Sequence, residues 1–203
     1  EKRTQVGLWY AQLEDIYQQQ FLNVLHTQPI GDVTLGANLG YFRGKEDGNK
    51  LAGNLDNKTA YALLSAKYKG NTLYLGLQKV SGDDGWLRVN GTSGGTLAND
   101  SYNSSYDLAK ERSWQVRHDL DFAVFGVPGL MMMNRYLSGD NIHTGTITDG
   151  KEWGRESELA YTVQSGTFKD LNMRWRNSTM RRDYSSHEFD ENRIFISYPL
   201  SLL

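Results

Sequence analysis

Arg174 and Arg176 stand two residues apart in the run Leu-Asn-Met-Arg-Trp-Arg-Asn-Ser-Thr-Met-Arg-Arg, which occupies positions 171–182. On a strand, alternate side chains share a face, so Arg174, Arg176 and Ser178 point one way and Leu171, Met173 and Trp175 the other. Arg135, Arg193 and Arg117 take the polar faces of three further strand-like runs. Guanidiniums spaced in this way offer successive two-pronged sites for a carboxylate, each weak enough to release it, so that an anion hops along the row. The competing reading is structural: the same arginines pair with Glu158, Asp119 or Asp121 across strands and only solvate a wall.

A second candidate is the stretch 81–112, rich in Gly, Ser, Asn and Asp and too long for an ordinary connection. It contains Asn90, Gly91, Thr92 and Ser93, followed by Tyr102 and Tyr106. A glycine-rich backbone can fold inward and present N–H groups to an anion, which makes this stretch the candidate constriction; a plain surface loop is the alternative. It is not a phosphate-binding P-loop, because the Gly-Lys-Ser/Thr ending is absent. His118-Asp119 invites a catalytic reading, but neighbours on a strand face opposite ways and cannot cooperate, so no catalytic residue is assigned. Asp47, Asp83 and Asp84 fit no cation-binding spacing, and Met131-Met132-Met133 covers both faces of its strand as filler, so no metal site is expected. Asn-X-Ser/Thr triplets occur at Asn57, Asn90, Asn99, Asn103 and Asn177; the last lies inside a strand, which argues against glycosylation.

The elements that position these residues all read as strands. Positions 33–43 alternate most clearly, with Val33, Leu35, Ala37, Leu39 and Tyr41 against Thr34, Gly36, Asn38 and Gly40, a period only a strand has. The run 4–13 carries Gly7, Trp9, Ala11 and Leu13 on one face. After Glu14-Asp15, the run 17–27 keeps Gln18 and Gln20 on its polar side. Runs 59–69 and 72–80 flank Gly70-Asn71, a hairpin turn. Runs 114–126, 130–137, 156–165, 171–182 and 192–203 complete ten strands and no helix. Tight turns at 28–31, 70–71, 127–129 and 166–170 alternate with long connections at 44–57, 81–112, 138–154 and 183–191, so the two kinds lie at opposite ends of the sheet.

The 203 residues suit one domain, and the absence of cysteine removes disulfides and thiolate metal sites. A net charge of −2 argues against a nucleic-acid partner. No apolar run reaches the length of a membrane helix, which leaves a membrane barrel open, since alternating strands keep mean hydropathy low. A soluble β-sheet binding module would alternate too. Long strands, simple up-and-down order and loops sorted by end favour instead an all-β, antiparallel up-and-down transmembrane β-barrel.

Four stretches carry a resemblance: Trp9-Tyr10-Ala11-Gln12-Leu13-Glu14-Asp15-Ile16-Tyr17, Phe125-Gly126-Val127-Pro128-Gly129-Leu130, Asn134-Arg135-Tyr136-Leu137-Ser138-Gly139-Asp140-Asn141 and Arg174-Trp175-Arg176-Asn177-Ser178-Thr179. The chain resembles the carboxyl-terminal half of the substrate-specific OprD-type porins of pseudomonads, and over 92–106 the OpdK-like branch that takes aromatic and other small monocarboxylates. The resemblance implies an 18-stranded barrel in the bacterial outer membrane, loosely trimeric in some members. Residues 1–203 would then be the carboxyl-terminal portion of one barrel domain, completed by an amino-terminal half and surrounded by outer-membrane lipids. It implies passive uptake of small carboxylate solutes, with no enzyme activity and no cofactor, along a ladder matched best by Arg174 and Arg176, with Arg135 and Arg193 beside them. Uptake of basic amino acids is the alternative within the family.

Overall fold

The computed structural model describes residues 3–86 and 97–200. Ten antiparallel strands follow in chain order: β1 (Thr4–Leu13), β2 (Tyr17–Ile30), β3 (Val33–Glu46), β4 (Asp56–Tyr68), β5 (Asn71–Gly82), β6 (Arg112–Asp121), β7 (Leu130–Thr144), β8 (Ile147–Thr162), β9 (Asn172–Arg182) and β10 (Phe189–Ser197). Each pairs only with its neighbours in sequence, giving a single sheet ordered β1 to β10 with β1 and β10 as its two edges. This is the expected all-β, up-and-down arrangement.

The sheet has an apolar outer face. Leu73, Leu75 and Leu77 on β5, Leu35 and Leu39 on β3, Val116 on β6, and Ile194 and Ile196 on β10 are all exposed there. Register makes the surface continuous, because Leu75 sits opposite Leu64 on one side and Val116 on the other. Two rows of aromatic rings border it. Toward the long loops Trp114, Tyr136 and Trp153 follow one another with centroids 5.6 and 6.0 Å apart, and Tyr41 continues the row on β3; toward the tight turns stand Tyr68, Tyr161 and Tyr198. On β4 the distance from Ala60, opposite Tyr41, to Tyr68 is roughly 26 Å of strand. A tilt of about 40° reduces that to roughly 20 Å, close to the height of a lipid-facing band. A lysine in place of Leu75 is therefore expected to cost about 2–4 kcal/mol of folding into vesicles, and a lysine in place of the inward Ser65 much less. Urea titration of the full-length protein in lipid vesicles measures both.

Several boundaries differ from expectation, each for a physical reason. The run 114–126 leaves the sheet at Asp121, whose carboxylate accepts from Ala123 N at 2.9 Å and starts one 3-10 turn, Phe122–Phe125, closed by Gly126 in the left-handed region at φ +83°. The turn expected at Gly70-Asn71 is Lys69-Gly70, with Tyr68 opposite Asn71. Positions 138–154 are not a loop: β7 and β8 continue as a paired hairpin beyond the aromatic row, where the outer face meets water and the buried inner face carries Glu152, Gly150 and Gly154 in place of large apolar residues, so hydrophobic alternation fades. The connections expected at 44–57 and 183–191 shorten to 47–55 and 183–188 for the same reason. Gln18 and Gln20 lie on the outer face, and Tyr17, Gln19 and Phe21 face inward. Likewise Gly7, Trp9, Ala11 and Leu13 turn inward, while Val6, Leu8 and Tyr10 are exposed outside. An inner cluster explains the reversal: Phe21 stacks on Trp9 at 5.0 Å and on Phe42 at 3.7 Å, and Trp86 closes on Phe42 at 4.3 Å. The strand expected over 192–203 is Phe189–Ser197, and positions 201–203 lie outside the described residues.

Candidate functional site

The inner face of β5 to β10 and the loop 97–111 pressed against it form the site. The loop is fastened by side chains that alternation turns inward on four strands. From β5, Gln78 accepts from Asn99 N at 3.0 Å and donates to the Tyr106 carbonyl at 2.7 Å. From β6, Ser113 accepts from Asn99 Nδ2 at 2.8 Å and Gln115 donates to the Ala98 carbonyl. From β8, Glu156 accepts from Tyr102 N at 2.7 Å, Glu158 from the Tyr102 hydroxyl at 3.0 Å and Glu152 from Ser104 Oγ at 2.7 Å. From β9, Ser178 accepts from Asn103 Nδ2 at 2.8 Å. The loop is thus folded inward, as a constriction requires, and Tyr102 and Tyr106 are both in it. Asn90, Gly91, Thr92 and Ser93 lie outside the described residues.

All five arginines singled out from the sequence face inward, and each meets a carboxylate. Arg117 binds Asp119 through two nitrogens, at 2.7 and 2.6 Å. Arg135 is almost fully buried, holds Glu156 with Nε at 2.9 Å, and donates through Nη1 to the Asp100 carbonyl at 2.8 Å. Arg193 pairs with Glu191 at 2.5 Å. Arg176 contacts Glu158 at 2.9 Å, and its guanidinium lies 3.4 Å from the centre of the Tyr102 ring. Arg174 has only a long ion pair, 3.5 Å to the same Glu158, and its side chain is 39% exposed. Two guanidiniums therefore share one carboxylate just below the loop, leaving a local excess of positive charge on a wet surface. Asp121 is not part of this set, since it caps the 3-10 turn.

Of the carboxylate column Glu152, Glu156 and Glu158 on β8, with Arg182 and Tyr184 at its loop end, only Glu158 was singled out from the sequence. Arg182 Nε and the Tyr184 hydroxyl both reach Glu152 Oε2 at 2.7 Å. The available signal was the even spacing of three glutamates, which places them on one strand face once β8 is extended back to Ile147. Burial, reinforced by Glu158, pushes the Tyr102 hydroxyl up to about 12, so it remains a hydrogen-bond donor throughout the physiological range.

At the loop base, Glu111 is fully buried, and its Oε1 has no hydrogen-bond partner among the described residues. Burial first, and then the neighbouring Glu152, push its carboxyl well above the ordinary carboxylate range. Because the folded value is raised, the stability this group contributes is complete below about pH 4.5 and is lost as pH climbs above it. Glu111→Gln is expected to raise the melting temperature at pH 8 and to change it little at pH 4, which thermal unfolding of the full-length protein in detergent measures.

Comparison with known proteins follows this geometry. A family model described as outer membrane porin, OprD family, matches residues 1–202. A BenF-like porin from Pseudomonas fluorescens Pf-5 is 72% identical with a TM-score of 0.96, over 99% of this chain and 52% of that one. A Pseudomonas aeruginosa porin, OccK2 (OpdF), solved in complex with glucuronate, is 64% identical with a TM-score of 0.96, over 100% of this chain and 55% of that one. A third structure, Pseudomonas aeruginosa OpdK with vanillate, is 51% identical with a TM-score of 0.94, over 98% of this chain and 52% of that one. The chain spans about half the length of these relatives.

Proposed function

Since the chain belongs to the OprD family of outer-membrane porins, we propose that residues 1–203 are the carboxyl-terminal portion of one transmembrane barrel and form the selective part of its pore wall. The two sheet edges support the first part of this reading: hydrocarbon cannot satisfy their free N–H and C=O groups, so further strands must continue the sheet. The solutes are small carboxylates, aromatic monocarboxylates among them, passing down their gradient. The observation that carries the substrate class is the pair Arg174 and Arg176 sharing Glu158 beneath the inward loop. A carboxylate arriving there replaces the long Arg174–Glu158 contact with a short charge-assisted one and leaves again when the glutamate returns. Arg117 and Arg193, partly exposed above and beside this pair, serve as further stations; Arg135 is held by Glu156 and the loop and stiffens the wall instead.

Relatives crystallised with glucuronate and with vanillate, both carboxylates, agree with this class. In planar bilayers at 0.1 M salt, a gradient of sodium benzoate across the full-length porin is expected to give a zero-current potential of the sign set by benzoate movement. A gradient of arginine chloride is expected to show chloride moving ahead of arginine. Preferential passage of arginine would assign the pore to basic amino acids.

A further inference from the structure

We propose that the outer face of β3 to β6, at the long-loop end that outer-membrane barrels turn to the cell exterior, holds a phosphate-bearing, multi-acyl lipid of the outer leaflet in a defined seat. A row of cations crosses the four strands immediately beyond the aromatic rings. Arg43 stands opposite Lys58 in the β3–β4 register, and Lys79 stands opposite Arg112 in the β5–β6 register. Lys79 is also opposite Ala60, the outward neighbour of Lys58, so the two pairs join into one band. All four side chains are exposed on the outside of the sheet, away from the pore. Opposing charge is sparse: Asp140 reaches Arg112 at 2.8 Å, Asp56 reaches Lys58 only at 4.0 Å, and no ion pair engages Arg43 or Lys79 among the described residues. At the tight-turn end, the same strands present Val33, Tyr68, Leu73 and Leu120 on this face, with the single turn lysine Lys69 over the Tyr68 ring, so the row of four cations belongs to one membrane surface.

Two concavities make the band a seat. Between β4 and β6 a groove of about 610 Å³ runs along Ala60, Ala62 and Leu77 with Trp114 as its side, and Lys79 and Arg112 stand at its loop end. Beside it, a smaller hollow of about 210 Å³ is lined by Gln18, Gln20, Arg43 and Lys45, which offer two cations and two amides and no carboxylate. A greasy channel ending in lysine and arginine is complementary to an acyl chain ending in an anion, and the planar guanidiniums of Arg43 and Arg112 suit phosphate oxygens in particular. Two anionic positions, one over each concavity, fit a lipid that carries two phosphates.

The test uses the full-length porin, stripped of lipid in detergent, and native mass spectrometry with lipid A that carries two phosphates. The comparison protein is the combined variant Arg43→Gln, Lys58→Gln, Lys79→Gln and Arg112→Gln. The expected result is one tightly retained lipid on the unaltered porin and at least about tenfold weaker retention on the variant. Channel conductance should be the same in both, because none of the four residues faces the pore; that readout also certifies that the variant is folded. Should the quadruple variant not fold, Ala60→Trp fills the groove while keeping every cation and is expected to weaken retention as well. Equal retention by the variants, equal retention of the lipid after removal of both phosphates, or saturation of the site by inorganic phosphate alone overturns the proposal.

Discussion

Replacing Glu156 with alanine is expected to lower stability by about 3–5 kcal/mol and to open the pore. Both partners of the Arg135–Glu156 pair are nearly inaccessible, with side chains 7% and 2% exposed. Removing the carboxylate leaves a guanidinium in the wall with, among the described residues, the Asp100 carbonyl and the Tyr102 ring to hold it and no counter-charge, which is the costly way to break a buried pair. The same substitution removes the acceptor for Tyr102 N, one of the fastenings of the loop over β8. Two readouts should therefore move together in the full-length porin: a lower urea midpoint and a larger, noisier single-channel conductance as the loop leaves the lumen. Substituting both partners, Arg135→Met with Glu156→Leu, is expected to cost less than the single change, since an apolar pair leaves no unpaired charge. A single change that shifts neither readout would mean that the pair does not latch the loop.

The outer face was legible in the sequence from 33–41, 60–68 and 73–77 because their two faces meet different surroundings, lipid on one side and water or polar wall on the other. Period-two alternation is the record of that difference. Where the outer face meets water and the inner face is buried under the loop with polar side chains and glycine, as in the extended β7–β8 hairpin, the record disappears, so Glu152 was read as a loop residue although it is buried in the wall. Near β1 and β2 the inner face is itself packed with rings, so Trp9 and Phe21 point toward the pore and apolar character no longer marks the lipid side. The arginines were found, but not their full set of partners. Glu158 was named as a cross-strand partner and meets Arg176 through the β8–β9 register, whereas the Arg135–Glu156 pair rests on the β7–β8 register, which the turn between the strands sets and no single strand can reveal. The inward folding of the loop left one trace that composition did not expose, the polar amides Gln78 and Gln115 on inner strand faces.

The double variant Arg174→Ala, Arg176→Ala is expected to fold like the unaltered porin. Arg174 is partly exposed with a long ion pair; Arg176, 17% exposed, gives up two hydrogen bonds to Glu158 at 3.0 and 2.9 Å and its contact with Tyr102, so a modest loss of stability accompanies the change while the sheet stays paired. Its effect should fall on transport. Losing the charge-assisted contacts a carboxylate makes there removes about 1.5 kcal/mol or more of attraction, and the passage rate of benzoate at low concentration should fall roughly tenfold. Glu158, freed of both guanidiniums, would add repulsion of the same sign. Low ionic strength is needed to see the whole effect, since salt near 1 M screens charges beyond about 3 Å.

The most direct measurement is the zero-current potential of the full-length porin under a tenfold gradient of sodium benzoate, before and after the double substitution, with 0.1 M salt on the dilute side. The potential is expected to have the sign of benzoate passage in the unaltered porin and to collapse toward or past zero in the variant. An unchanged benzoate preference in a folded variant would contradict the assignment of Arg174 and Arg176 as the residues that select the solute.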